Sequence, residues 1–168
     1  VAGDHLPASY RDSLAAVDHT NAVCCVLELD RPLTPYYWLN VAEEAFPFGG
    51  VIEHTNFVPP ARYGGRHLVY LSKYVLPDHP LWSAPDAAVW DVMLPWLPRL
   101  NPAFDPAWIR ARHVFRAANG QPIIPLHYSR SIPPFATAVP GLFHACMAQV
   151  YPEDRGQSYA VRAGNRAA

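Results

Sequence analysis

Residues 21–31, NAVCCVLELDR, decide the reading of the fold: eight successive positions, mostly β-branched or apolar, close on the turn signal Asp30-Arg31-Pro32. YYWLNV at 36–41 follows as a second, aromatic strand candidate, and a hairpin is the simplest link between the two. Gly49-Gly50 precedes VIEHTNFV and Gly64-Gly65 precedes HLVYLSKYV, so strand-like runs recur between glycine and proline breaks. The pattern predicts an antiparallel meander of four strands.

Working outward, ASYRDSLAAV at 8–17 spaces Tyr10, Leu14 and Val17 as one face of a short helix. Downstream, Ser83 is read as a helix cap and Asp86 as a first-turn acid, with Val89, Val92, Met93 and Trp96 on one face and Pro95 and Pro98 kinking or ending the helix. RARHVFRAA at 110–118 alternates, which predicts a strand with His113, Phe115 and Ala117 on one side. Residues 119–140 read as a proline-rich loop, LFHACMAQV as a buried strand, and Gln157 to Ala168 as a helix with small residues inward. The expected class is therefore α+β, a mostly antiparallel sheet flanked by helices. The expected division is 1–140 as the main domain and 141–168 as a terminal strand, loop and helix.

A chain of 168 residues with 51% hydrophobic and 12% aromatic content can bury a core of about one domain. Thirteen Lys and Arg against fourteen Asp and Glu give a net charge of −1, which offers no field to gather nucleic acid or anionic lipid. Three cysteines, two of them adjacent, make no disulfide framework and point to a reducing, cytoplasmic setting. No apolar run approaches the roughly 20 residues a membrane span needs. The chain begins at Val1 with no Met and no cleavage signal, which leads us to expect an internal segment of a longer protein.

The eight histidines never fall three to five residues apart, so no zinc-type spacing exists, and only ligands converging from distant strands would hold a metal. Glu53 and His54 could form an acid–base pair. Neighbours on a strand point to opposite faces, however, so one of them is expected to be structural. Cys24 and Cys25 lie mid-strand, where burial makes a thiol inert. Tyr36, Tyr37, Trp38, Tyr63, Tyr70 and Tyr74 alternate with polar residues, as on a sheet with one packed face and one face lining a ligand pocket. The Gly-x-Gly-x-x-Gly dinucleotide fingerprint is absent. At the end of the chain, Pro152-Glu153-Asp154-Arg155-Gly156 opens a helix whose free N–H groups and dipole suit a phosphate or an electron-rich ring edge.

The run LFHACMAQVYPEDRGQSYAVRAGNRAA resembles the last FAD-contacting segment of the amine oxidase and protoporphyrinogen oxidase-like flavoenzymes. NAVCCVLELDRPLTPYYW is similar to a substrate-domain strand of that superfamily, and AANGQPIIPLHY to the stretch before its terminal motif. The resemblance implies the C-terminal, substrate-binding part of an NAD(P)/FAD-dependent oxidoreductase, whose Rossmann FAD domain would lie N-terminal. It implies that Ala145, Cys146 and Met147 form a turn at the flavin, and that Arg155, Gly156, Gln157, Ser158 and Tyr159 face it at a helix N-terminus, steadying negative charge on the reduced ring. Cys24, Trp38, Tyr70, Tyr74, His127 and Tyr128 would line the substrate pocket.

The family's flavin-proximal lysine is replaced by Cys24, its acidic turn residue falls near Ala148 and its amine-sandwiching tyrosine near Gly156, departures that weigh against amine oxidation. The implied cofactor is FAD held by the parent protein, and the implied partners are a small-molecule substrate and the FAD domain. Self-association of the fragment is expected if the face that meets that domain is left open. The alternative is a stand-alone small-ligand module without redox activity. An upstream Gly-x-Gly-x-x-Gly unit in frame would separate the two readings, and stoichiometric zinc would indicate a metal hydrolase.

Overall fold

Alternation of buried and more exposed side chains along His19–Leu29 and His67–Val75, interrupted at Val26 and Lys73, is what builds the central sheet, because a strand sends successive side chains to opposite faces. The computed structural model describes residues 3–154 and 156–167. These fall into two compact units, one Thr20–Gly120 and the other joining the described residues up to His19 with those from Gln121 onward. Among the described residues no helix is long and apolar enough to cross a membrane.

The sheet, which lies in the first unit but for the terminal residues His19, Gln121 and Pro122, has β1 (His19–Leu29), β2 (Trp38–Asn40), β3 (Gly50–Glu53), β4 (His67–Val75) and β5 (Ile109–Pro122) in the order β2-β3-β4-β1-β5. Antiparallel registers pair Trp38 with Ile52, Ile52 with Tyr70, and Tyr70 with Val26. The odd-numbered face carries Val23, Cys25, Leu27, Leu29, Val51, Val69 and Leu71, all essentially buried. Against it pack Val89, Trp90 and Met93 of α3 (Asp86–Met93) and Leu97 of α4 (Leu97–Leu100). Each such side chain contributes about 1.5–3 kcal/mol by leaving water, which makes this layer the main source of stability.

Several expectations need correction. No hairpin joins β1 to β2: β1 pairs with β4 and lies beside β5, while β2 sits at the far edge of the sheet. Eleven residues of β1 need pairing on both sides to satisfy their backbone, which three residues of β2 cannot supply. The meander is thus the three strands β2-β3-β4, extended by β1 and β5. Ser83 ends the single turn α2 (Pro80–Ser83) and does not cap α3, which follows Pro85. Val92 is exposed, because the 89-93-97 stripe that the helical period selects leaves position 92 outside it. Pro95 does break the helix, which passes into a short 3-10 turn, Leu94–Trp96. On β5, His113, Phe115 and Ala117 are exposed, while Val114 packs on the core.

β5 is tied in mid-run and near its end. Arg116 donates to the Ala84 carbonyl at 2.6 Å and to Asp86 at 2.7 Å, and at Gly120 the strand closes on β1. A Cβ placed on Gly120 would sit 2.9 Å from the Ala22 Cβ and 3.1 Å from its backbone nitrogen, and backbone cannot yield. Gly120→Ala is therefore expected to cost about 1–3 kcal/mol by overpacking, read as a lower denaturant midpoint. An unchanged midpoint would mean that the two strands separate freely there.

In the second unit, α1 (Ala8–Ala15) buries Tyr10, whose hydroxyl donates to the Pro134 carbonyl at 3.0 Å. The chain ends in α5 (Gln157–Ala167), of which only Ala163 is buried, so the small residues do not form an inward stripe. LFHACMAQV is not a strand. It makes one isolated bridge, Ala136 with Phe143, and then a 3-10 turn, Met147–Gln149. A single extended run has no ladder partner here, so side chains take its polar groups. Gln149 accepts from the Cys146 N–H and donates to the Pro133 and His144 carbonyls, and the Tyr128 hydroxyl donates to the Ala148 carbonyl.

Candidate functional site: the open face of the sheet

With the odd-numbered face covered by helices, the even-numbered face of the same sheet carries Cys24, Trp38, Tyr70 and Tyr74 together. Trp38, Ile52, Tyr70 and Val26 form one cross-strand row, and Asn40, Gly50, Ser72 and Cys24 form the next, about 7 Å along the strands. Trp38 is 55% and Tyr74 54% exposed, so these rings are a surface and not a core. A cavity of about 480 Å³ opens at the Asn40 end, lined by Trp38, Ile52, Ser72, Tyr74 and the loop 41–49. Glu43 on that loop is engaged by Arg99 at 3.2 Å.

Glu53 and His54 part company as the strand geometry requires. Glu53 is fully buried on the core side and accepts from the Leu33 N–H at 3.0 Å and the Thr34 N–H at 2.7 Å, holding the loop that leads into β2. Burial pushes its carboxyl up to about 7 against the pull of those two N–H bonds. His67 Nδ1 lies 3.9 Å away without a hydrogen-bond partner, and burial holds that imidazole below its ordinary value. His54 starts the 3-10 turn His54–Asn56 and sets its Nε2 2.6 Å from the Tyr63 hydroxyl. The sequence reading gave Tyr63 no role beyond its aromatic ring, since only the turn geometry brings it to His54.

Burial raises the Cys24 thiol and drives Cys25 up to about 12, so neither is a ready nucleophile. Alkylation of the native protein at neutral pH is expected to leave Cys25 unmodified, read by peptide mass spectrometry. Rapid labelling of Cys25 before unfolding would contradict its placement in the core.

The second unit holds the remaining residues singled out in the sequence. His127 is exposed at φ +62°, and Tyr128 is buried, its hydroxyl committed to Ala148 at 2.6 Å. Gly156, Gln157 and Ser158 are exposed at the start of α5, where backbone bonding begins with Tyr159 and Ala160 donating to the Gly156 carbonyl. Among the described residues their N–H groups meet no partner, as at a helix N-terminus. Ala145 is exposed and Met147 half-buried, but the Cys146 N–H is already taken by Gln149 at 2.8 Å. Arg155 lies outside the described residues. Among the described residues no group of three or more His, Cys, Asp or Glu side chains comes together to hold a metal.

Neither a family model nor a curated protein matches this sequence. Solved structures do match the fold. A protein assigned as a protoporphyrinogen oxidase from Exiguobacterium sp. 255-15 aligns at TM-score 0.57 and 10% identity over 72% of this chain. A reduced UDP-galactopyranose mutase aligns at 0.55 and 13% over 72%, and an oxidoreductase from Methanosarcina mazei at 0.56 and 18% over 81%. The match covers 27%, 26% and 31% of those chains respectively. The fold of this chain is thus that of a portion of larger enzymes.

Proposed function

We propose that this chain is the substrate-side part of a larger FAD-dependent oxidoreductase, with the open sheet face turned to the substrate. The observation that carries the reading is the aromatic face itself: one side of the sheet is sealed by helices, while the other leaves Trp38 and Tyr74 exposed and Tyr70 half-buried between the strands. The likeness to portions of three larger proteins, two of them named as an oxidase or an oxidoreductase, supports the same assignment.

Bound FAD supplies hydride acceptance at its ring N5. This chain's own residues would do three things. Trp38 and Tyr70 would stack a flat substrate and exclude water around it. Gly156, Gln157 and Ser158 fit a flavin, because their N–H groups meet no partner among the described residues and would hold negative charge at the ring edge. Cys146 does not fit that role through its N–H, which Gln149 occupies.

The test is the visible absorbance of the parent chain purified with its upstream sequence. Paired flavin bands are expected, and Trp38→Ala is expected to raise KM several-fold while leaving those bands in place. A folded parent that is colourless and takes up no added FAD would sink the reading.

A further inference from the structure

The open face has a polar end that the flavin reading leaves unused. The His54 ring stands edge-on to Tyr63 at 5.3 Å and to Tyr70 at 5.8 Å, and its Nε2 shares one short hydrogen bond with the Tyr63 hydroxyl. A phenol–imidazole pair that shares a single proton can both accept a hydrogen bond and donate one to a newcomer. The groups whose fields reach Tyr70 are Tyr63, Cys24 and Tyr37, and burial keeps the Tyr70 phenol protonated. Glu43, Glu44 and Lys73 line the cavity at the Asn40 end, with Arg99 engaging Glu43, and the exposed Arg62 and Arg66 flank Tyr63 along the chain.

This arrangement discriminates among ligands. A carboxylate or phosphate calls for an Arg or Lys partner, and an ammonium for a carboxylate, and among the described residues no Arg, Lys, Asp or Glu side chain is bonded to the Tyr63–His54 pair. A flat ring finds a floor in the row Trp38, Ile52, Tyr70. We propose that this end of the sheet is a binding site for an uncharged planar aromatic ligand bearing a hydroxyl group, its ring on Tyr70, Ile52 and Trp38 and its hydroxyl bonded to the Tyr63–His54 pair. The inference rests on the function proposed above only in taking the open face as the substrate side. Binding is measured on this chain without flavin, so a flavin-bearing parent with no such binding removes this site alone, and a colourless parent with binding intact removes only the flavin.

The experiment uses 2-naphthol, naphthalene and 2-naphthoate as probes in an NMR titration that follows the Trp38 indole N–H, assigned with Trp38→Phe. 2-Naphthol is expected to shift that signal and to bind about tenfold more tightly than either other probe, the worth of one good hydrogen bond. Tyr63→Phe and, independently, His54→Gln should each remove most of that advantage while leaving naphthalene affinity unchanged. Equal affinities of 2-naphthol for the native chain and both variants would overturn the site. So would tighter binding of the carboxylate, shifts confined to the Trp90–Phe104 groove, or no shift at millimolar probe.

Discussion

Glu53→Ala is expected to destabilise the sheet unit by about 3–5 kcal/mol, one of the largest losses from a single change in this chain. The carboxylate is the acceptor for the buried N–H groups of Leu33 and Thr34, and alanine leaves both without a partner at about 1–3 kcal/mol each, besides opening a void. Glu53→Gln keeps one oxygen at the Oε2 position, where both N–H groups already point, and should lose less than half as much. All five tryptophans, Trp38, Trp82, Trp90, Trp96 and Trp108, fall within residues 20–120, so fluorescence reports on this unit alone.

The same residue sets a pH dependence. Its folded value, about 7, lies above the ordinary 4.5, so between the two the folded state keeps a proton that the unfolded state has released. Stability contributed by the protonated form is fully present below pH about 4.5 and is lost as pH rises to about 7, a fall of order 3 kcal/mol. His67 beside it works in the opposite sense: its value is lowered, so stability rises as pH climbs toward the ordinary imidazole range. Chemical denaturation from pH 4.5 to 7.5 should show the falling limb in the native chain and a flat or rising profile in Glu53→Gln. Identical slopes in the two would sink the assignment of that limb to Glu53.

Leu27→Ala should cost about 3–4 kcal/mol, whereas Tyr74→Ala, a larger truncation, should stay below about 1 kcal/mol. Leu27 is fully buried at the centre of β1 opposite Val69, in the layer under α3 and α4. Tyr74 sits on the open face of β4, more than half exposed, where removing the ring uncovers little. Urea midpoints of the two variants measure the contrast directly. Comparable losses would show that the even-numbered face is packed and not open, which would undercut both the substrate reading and the Tyr63–His54 site.

How much of this was legible in the chain differs by element. NAVCCVLELD and HLVYLSKYV announced β1 and β4, because β-branched runs between turn residues have few other ways to bury themselves. The alternation of aromatic and polar residues also predicted one packed face and one face lining a pocket, whereas Cys24 was set in that pocket only by the family resemblance; the strand registers put Cys24, Trp38, Tyr70 and Tyr74 on one face. Proline at 95 marked the end of α3 through its missing N–H. LFHACMAQV misled for a physical reason: apolar content says that a segment wants burial, but a strand exists only when a neighbour supplies the other half of its ladder.

By itself, then, the sequence determined periodic properties: that β1 and β4 are strands, which side of each is apolar, that Pro95 ends α3, and that the composition suits a folded α+β chain. Tertiary structure alone decided which strands are neighbours, placing β1 beside β4 instead of β2. It also decided that Glu53 is a buried anchor for Leu33 and Thr34, and that His54 meets Tyr63 nine residues later. Pairing and polar contacts depend on chain crossings and on what competes for each N–H and carbonyl. Local propensity carries no record of either.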